Sequence, residues 1–439
     1  MSRGNRMEAI ECDLMIVGSG MAGMAASLFA GQRRIDTVQV GVTGEIQFAS
    51  GLLDLLGVHP ITAGSAVQNP WEGIRQLAKT RPNHPYARLP LGTIRTAMET
   101  VVEFLNQAGL PYFRCADRNL RMVTPVGTVK PTYAVPETMA AGVRALEEKW
   151  QTLLVDFHGF KGYSALQIKE TLRREWPGLR TLRIPFPGLA GDLYAERMAM
   201  ALHRPENRRQ LAESIAEGLG GCRAVGVPAV LGLYRPQEVA AELGDRIGVS
   251  VFEIPTMPPG VTGLRLRQTF EERLPDMGIR TWYQQKVSSV RRLADGRFRF
   301  ELDNTISAKT VVANSAVLAS GRFFGRGLTA DRSGIRESLF GLPVVQPSSR
   351  DQWHHRDLLN PSGHPINRAG VEVDSHFRPL GRNGAPAFSN LTAAGSILAH
   401  QDWIREKCGS GLAIATAYGA VQQAISICAA KKKQPPVVG

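Results

Sequence analysis

Gly18-Ser19-Gly20-Met21-Ala22-Gly23 follows directly on the apolar run Leu14-Met15-Ile16-Val17 and leads into the uncharged stretch Met24 to Ala30. The order reads as a strand, a glycine turn and a helix. Gly18 permits the tight turn. Gly20 has no Cβ, so a phosphate can approach the backbone there. Gly23 lets the helix pack close on its strand, and the N–H groups at the helix start face the anion. Ser19 and Ala22 are the small residues between the glycines and belong to the same candidate cofactor turn. The strand before the glycines and the helix after them give the pattern its weight. A signal peptide or a membrane span is excluded for Leu14 to Ala30. Three spaced glycines interrupt a run that is short for a span. Arg3 and Arg6 precede it, but Glu11 and Asp13 stand where a signal would be basic.

A chain of 439 residues can bury a large core and is expected to form two or three domains. Hydrophobic residues at 43% and charged residues at 21% place it among soluble globular proteins. The five cysteines, Cys12, Cys115, Cys222, Cys408 and Cys428, are scattered and form no CxxC. That spacing supports neither a disulfide framework nor an iron–sulfur site, and it fits a reducing compartment. The net charge of +13 is spread over short segments such as Arg114 to Arg121 and Arg173-Arg174. It suits an anionic membrane surface, an acidic protein or a phosphorylated substrate, or else is a solvated basic surface. Nucleic acid is not expected, because there is no reader motif and no aromatic interleaving. Lys431-Lys432-Lys433-Gln434-Pro435-Pro436 reads as a frayed tail.

Cys12 to Val17, Gly23 to Gln32 and Thr37 to Val42 give a βαβ start. Helices are expected at Ile94 to Ala108, Ser164 to Glu175 and Leu264 to Leu274. Thr152 to Phe157 and Ala224 to Leu233 read as buried strands of an inserted α/β unit. Lys286 to Leu293, Arg297 to Leu302 and Lys309 to Val312 read as a β-meander with a hairpin turn at Asp295-Gly296. Ser315 to Gly321 reads as a further buried strand. The fold class is therefore α/β, a two-dinucleotide-binding (glutathione-reductase-like) Rossmann-type flavoprotein fold with an inserted α/β domain. The expected division is 10–58 with 257–330 and 388–430 for the flavin domain, 59–256 for the insert, and 331–387 for a loop-rich cap.

The C-terminal half supplies the second part of a flavin site. Val317-Leu318-Ala319-Ser320-Gly321 is a strand ending in small residues, so Ser320 and Gly321 can pass close to a cofactor. Asn390 to Gly395, with Ser396 after it, reads as another strand meeting the phosphate region. Gly409 and Gly411 open the helical run Leu412 to Ala424, whose first N–H groups can face the flavin pyrimidine edge. Two departures weaken the adenosine side. The second strand ends Val40-Gly41-Val42-Thr43 where an acid normally holds the ribose, and Glu45 comes late. Ser396 stands where an aspartate is usual. FMN is the favoured cofactor, with FAD as the alternative.

The chain resembles the B subunit of anaerobic glycerol-3-phosphate dehydrogenase. The glycine turn carries the resemblance together with Ser50-Gly51-Leu52-Leu53-Asp54-Leu55-Leu56, His84-Pro85-Tyr86, Thr124-Pro125-Val126-Gly127-Thr128 and Pro255-Thr256-Met257-Pro258-Pro259-Gly260. So do Leu318-Ala319-Ser320-Gly321-Arg322-Phe323-Phe324 and Gly334-Ile335-Arg336-Glu337. The resemblance implies a flavoprotein, usually assigned FMN. It implies two partners, a catalytic FAD subunit and an iron–sulfur subunit that anchors the complex, with quinone downstream. The expected location is then cytoplasmic, peripheral on the inner face of the membrane. Ser50, Gly51, Ser320 and Gly321 are expected to line the flavin. If substrate binds here, Arg322 is the candidate for its anion and His400 for a proton. The plainer readings are an ion-paired arginine and a loop histidine. Adjacent His354-His355 reads as loop and no metal is expected. Two other readings stay open at this point: a free-standing fumarate-reductase-type flavin oxidoreductase, and a non-redox structural subunit with a decayed nucleotide site.

Overall fold

A computed structural model describes residues 9–42, 44–303 and 309–432. Its main sheet has the strand order Ile279–Tyr283, Thr37–Gly41, Ile10–Val17, Lys309–Leu318, Phe298–Asp303, Lys286–Arg292, with Leu391–Ala393 also paired to Lys309–Leu318. The central strand Ile10–Val17 runs parallel to both of its neighbours. Covered on both faces, it needs an unbroken apolar run rather than alternation, and Leu14, Met15 and Ile16 are fully buried. The helix Met21–Gln32 is apolar around its whole circumference, and Ala22 to Gly31 are all buried. The C-terminal helix Gly409–Lys432 packs on it, with Phe29 and Tyr418 edge to face at 4.9 Å. Lys431 and Lys432 are helical rather than part of a tail. Residues 433–439, Thr43, Arg3, Arg6 and the Cys428 side chain lie outside the described residues. The other four cysteines are free thiols.

One difference concerns the return strand. The sequence suggests separate strands at Lys309 to Val312 and Ser315 to Gly321, with the polar pair Asn314-Ser315 at the join. A single strand, Lys309–Leu318, is found instead. The polar pair does not break it because both side chains bond to the next strand. Ser315 Oγ donates to the Asp13 carbonyl at 3.0 Å, and Asn314 Nδ2 donates to Asp13 Oδ1 at 3.0 Å. The Asp295-Gly296 turn joins Lys286–Arg292 to Phe298–Asp303 in antiparallel pairing, with Gly296 at φ +82°.

A second sheet has the order Ser250–Ile254, Ala224–Pro228, Thr152–Phe157, Leu179–Ile184, all parallel. Its core, from Leu120 to Ile254 with Leu52, is separate from the main one. The helix Leu91–Gln107, which the sequence groups with the insert, packs into the main core through Ile94, Met98, Val101 and Leu105. A buried ion pair is among the contacts that tie the two units. Arg265 donates to both Glu253 oxygens at 2.7 and 2.8 Å, Thr138 donates at 2.7 Å and the Leu231 N–H at 2.8 Å. Burial raises the Glu253 pKa, but Arg265 and the other donors outweigh it and hold the carboxyl below its ordinary value. Within 331–387 the chain is mostly loop, with a short ladder of Val344–Val345 against Gly370–Val371.

Candidate flavin site

The glycine turn is set by steric contact at two glycines. Gly18 has φ +130°, and a Cβ there would stand 2.1 Å from the Ala319 carbonyl oxygen at the end of the return strand. A Cβ on Gly23 would stand 2.1 Å from the Gly18 oxygen. Gly20 is different. The nearest atom to a Cβ there is the Glu45 nitrogen at 4.0 Å, so that side of the turn is open. The Gly18 N–H donates to the Val40 carbonyl at 2.7 Å, and Gln39 Nε2 donates to the Gly18 oxygen at 3.0 Å. Ala22 meets Gly395, where an added Cβ would lie 2.6 Å from the Ala22 Cβ. Gly395 itself is at φ +81° and donates its N–H to Thr416 Oγ1 at 2.9 Å. The N-terminal turn, the return strand and the Gly395 loop therefore converge.

Ser320 and Gly321 continue from that junction. Ser320 Oγ is buried without a hydrogen-bond partner among the described residues, and Gly321 turns at φ +69°. The late glutamate reaches the same place. The segment after Thr37–Gly41 folds back on the glycine turn, since a Cβ on Gly41 would sit 2.2 Å from Ser19 Oγ and one on Gly44 2.0 Å from the Ser19 oxygen. Glu45 then points toward the return loop, its Oε1 lying 3.3 Å from where a Gly321 Cβ would be. Burial raises its pKa, while the Gly325 N–H and the Arg322 charge oppose the rise without cancelling it.

Arg322 is a clamp. Its Nε donates to the Ser396 carbonyl at 2.7 Å, one terminal nitrogen to the Gln401 carbonyl at 3.0 Å and the other to the Asn367 carbonyl. Burial lowers its pKa to about 10. All three nitrogens are engaged with backbone, which fits the structural reading better than an anion receptor. His400 stands at φ +67°, and its Nε2 lies 3.3 Å from Glu372 Oε1, an ion-pair distance without hydrogen-bond geometry. His354 and His355 pack against the ring of His364. Among the described residues no group of three or more His, Cys, Asp or Glu side chains is placed to hold a metal ion.

The start of the C-terminal helix is locked to the Ser50–Leu56 segment. The Gly411 N–H donates to the Asp54 carbonyl at 2.7 Å, and the Asp54 N–H donates to Ser410 Oγ at 2.6 Å. The Gly411 N–H is thus already used within the chain, which takes it out of the set of first-turn N–H groups. Glycine is required there because a Cβ would lie 2.7 Å from Tyr86 Oη and 2.8 Å from the Asp54 oxygen. A Cβ on Gly409 would meet the Trp403 ring at 2.9 Å, and one on Gly51, at φ +83°, would meet Thr262 at 2.9 Å. Ser50 Oγ accepts the Leu52 N–H at 3.4 Å.

The His84-Pro85-Tyr86 motif buttresses this knot. Tyr86 Oη donates to the Leu55 carbonyl at 2.7 Å. His84 Nδ1 accepts the Tyr86 N–H at 3.1 Å, so the ring proton is on Nε2, 3.2 Å from Glu406. Burial pushes the imidazole pKa down, which keeps it neutral. Arg81 also pairs with Glu406. Burial raises the Glu406 pKa, but His84 and Arg81 outweigh it and bring it down to about 2. The sequence alone gives no role to Asp54 or Glu406, although Asp54 lies within a quoted motif and Glu406 just before the Gly409–Gly411 turn.

A family model described as FAD binding domain matches residues 13–412. A Halobacterium salinarum protein, named as the probable B subunit of anaerobic glycerol-3-phosphate dehydrogenase, is 32% identical over 429 residues, covering 94% of this chain and 97% of the relative. This chain belongs to the B-subunit family of anaerobic glycerol-3-phosphate dehydrogenase. A Pectobacterium carotovorum protein named as the B subunit of the same enzyme is 29% identical over 94% of this chain and 98% of its own length. Among solved structures, a quinol fumarate reductase of E. coli is similar at 10% identity, covering 98% of this chain and 72% of that one with a TM-score of 0.44. The chain is a flavin-dependent oxidoreductase subunit with the two-dinucleotide-binding flavoprotein fold. Its residues fit a flavin phosphate: the turn is open at Gly20, and Ser320 Oγ is a buried hydroxyl in need of a partner.

Proposed function

We propose that this chain is the flavin-carrying subunit of a quinone-linked anaerobic glycerol-3-phosphate dehydrogenase, and that its flavin is FMN. In this reading glycerol 3-phosphate is oxidised to dihydroxyacetone phosphate on a catalytic FAD subunit. This chain relays the electrons to an iron–sulfur subunit, which anchors the complex at the inner face of the cytoplasmic membrane. Among the described residues no helix is long and apolar enough to cross a membrane.

The observation that carries the choice of FMN is the placement of Gly41, Gly44 and Glu45. An FAD site needs room, and usually an acid, beside the end of the second strand for the adenosine ribose. Here Gly41 and Gly44 abut Ser19, and the first glutamate after the strand is turned toward Gly321. A phosphate at the Gly20 turn needs neither feature.

A bound flavin would supply the one- and two-electron steps. The chain's own residues position it. The Gly18–Gly23 turn presents backbone N–H groups to the phosphate. Ser320 Oγ offers a hydroxyl, and Ser50, Gly51 and Gly321 give the ring close backbone walls. The positive end of the helix Gly409–Lys432 favours negative charge at the pyrimidine edge through its field, with the Gly411 N–H excluded as a direct donor.

The test is release of the cofactor from the purified chain and its identification by mass. FMN supports the reading. FAD overturns the choice of flavin, and a protein with no flavin, alone or with its partners, overturns the relay.

A further inference from the structure

We propose that the loop from Trp353 to His364 docks on an anionic lipid bilayer, with the Leu358 and Leu359 side chains inserted among the lipids. Neither the family model nor the relay reading gives this loop a task. In the relay reading another subunit anchors the complex, whereas here this chain touches the membrane itself.

The first observation is exposure. Leu358 is 79% exposed and Leu359 78%, the highest values among the large apolar side chains described. The two stand side by side at a turn, and neither core takes them. Single apolar residues scattered on a surface are ordinary, but an adjacent pair held out in water marks a contact with something apolar.

The second is rigidity. Asp357 Oδ1 accepts the Leu359 N–H at 3.0 Å, and the Asn360 N–H donates to the Asp357 carbonyl at 3.1 Å. His364 Nδ1 accepts the His355 N–H at 3.0 Å, so its ring proton is on Nε2, 3.1 Å from the Leu358 carbonyl. Trp353 is buried in the main core at the root of the loop, and its carbonyl accepts the Ile366 N–H at 3.1 Å. The leucines cannot fold back on the protein without breaking these bonds, so little order remains to be imposed on docking.

The third is charge. Arg350, Arg356 and Arg368 flank the leucines, are exposed and make no ion pair among the described residues. The foot of the loop rests on the short helix Trp403–Glu406, where a Cβ on Gly363 would lie 3.6 Å from Arg405 Cγ. That helix adds Ile404, 52% exposed, and a fourth arginine without an ion pair. Against these four stand Asp351 and Asp357, on a chain of net charge +13. A stable protein partner needs about 800 Å² on each side, which a two-leucine turn does not offer. A second copy would bring the same positive charge. A bilayer takes apolar side chains singly and sets its anionic headgroups against the arginines.

The test is sedimentation of the full-length protein with vesicles of phosphatidylglycerol and phosphatidylcholine in equal parts, and of phosphatidylcholine alone. The expected result is saturable binding to the anionic vesicles that weakens as salt rises, and at least about tenfold weaker binding to the neutral ones. Leu358→Ser combined with Leu359→Ser should weaken anionic binding about a hundredfold, about tenfold for each leucine. Arg356→Gln should weaken it about fivefold. Arg173→Gln combined with Arg174→Gln, an exposed pair on the inserted unit, should leave it within about twofold. No binding to anionic vesicles, wild-type binding by the leucine variant, or a loss in the Arg173 and Arg174 variant as large as that in Arg356→Gln overturns the proposal. Leucine-dependent dimers in light scattering overturn it in favour of a second copy. Neither readout involves the flavin, so failure here leaves the relay reading standing, and a chain without FMN leaves the membrane contact standing.

Discussion

Gly20→Ala and Gly23→Ala separate the two tasks assigned to the glycine turn, and the structure predicts opposite consequences. At Gly23 a Cβ would lie 2.1 Å from the Gly18 oxygen and 2.7 Å from the Gly18 carbonyl carbon. Both obstacles are backbone, so neither can rotate away. Overpacking of this kind costs about 1–3 kcal/mol, and a backbone-on-backbone clash sits at or above the upper end. At Gly20 the nearest atom is 4.0 Å away and the backbone is extended, with φ −79° and ψ −177°. Alanine fits that conformation. It is a poorer N-cap than glycine, by up to about 1 kcal/mol, and it gains about 0.4–1 kcal/mol by restricting the unfolded chain. The two terms nearly cancel. Denaturant unfolding of the flavin-free protein should therefore show Gly23→Ala destabilised by ~3 kcal/mol and Gly20→Ala within ~1 kcal/mol of wild type. Flavin titration should then show Gly20→Ala weakened at least about tenfold, because the added methyl occupies the approach to the backbone N–H groups. Wild-type flavin affinity in Gly20→Ala would refute phosphate approach at this turn.

Glu45→Gln should tighten flavin binding and flatten its pH dependence. Burial raises the wild-type Glu45 pKa, so the group becomes anionic as pH climbs above its ordinary range, and wild-type affinity for the flavin phosphate should fall over that interval in a fluorescence titration. Arg265→Met strands the Glu253 carboxylate between the two units and should cost about 3–5 kcal/mol in denaturant unfolding. Glu406 is depressed to about 2, so it contributes stability above its unfolded pKa that is lost as pH falls toward 2. That loss amounts to about 3 kcal/mol at ~1.4 kcal/mol per pH unit, so Glu406→Gln should be less stable at neutral pH and should lose about that much less than wild type over the interval, the acid loss from Glu253 and the other depressed carboxylates remaining.

What could be read from the sequence was what local backbone sterics dictate. The Gly18–Gly23 turn, the buried run before it and the return strand ending at small residues are short-range patterns. Each appears close to its expected place, as does the strand Thr152–Phe157. What could not be read depends on contacts between distant segments. That one strand runs through Asn314-Ser315 depends on Asp13, which lies beside the pair in space and far from it in sequence. The helix Leu91–Gln107 carries an apolar face that either core could cover, and nothing in its own residues says which. For Arg322 the sequence leaves an anion receptor and a structural arginine both open, and the three carbonyls from 367, 396 and 401 that it holds belong to segments no local pattern brings together. Glycine spacing announced the helix start at Gly409–Gly411, but not that the Gly411 N–H would be taken by Asp54.

The positions of Glu45 and Arg322 bear jointly on how the glycine turn and the return loop are held together. An acid at the end of the second strand stabilises a ribose. Moved a few residues on and folded back over Ser19, an acid faces the return loop instead, where it meets Arg322 and the Gly325 N–H. Arg322 in turn holds the Gly395–Gln401 loop by its carbonyls, so the loop that crosses the glycine turn and Glu45 share one charge neighbourhood. The glycine turn, the return loop and the Gly395–Gln401 loop are thus held to one another by Glu45 and Arg322, and a substitution at either residue should disturb both sides of the turn together.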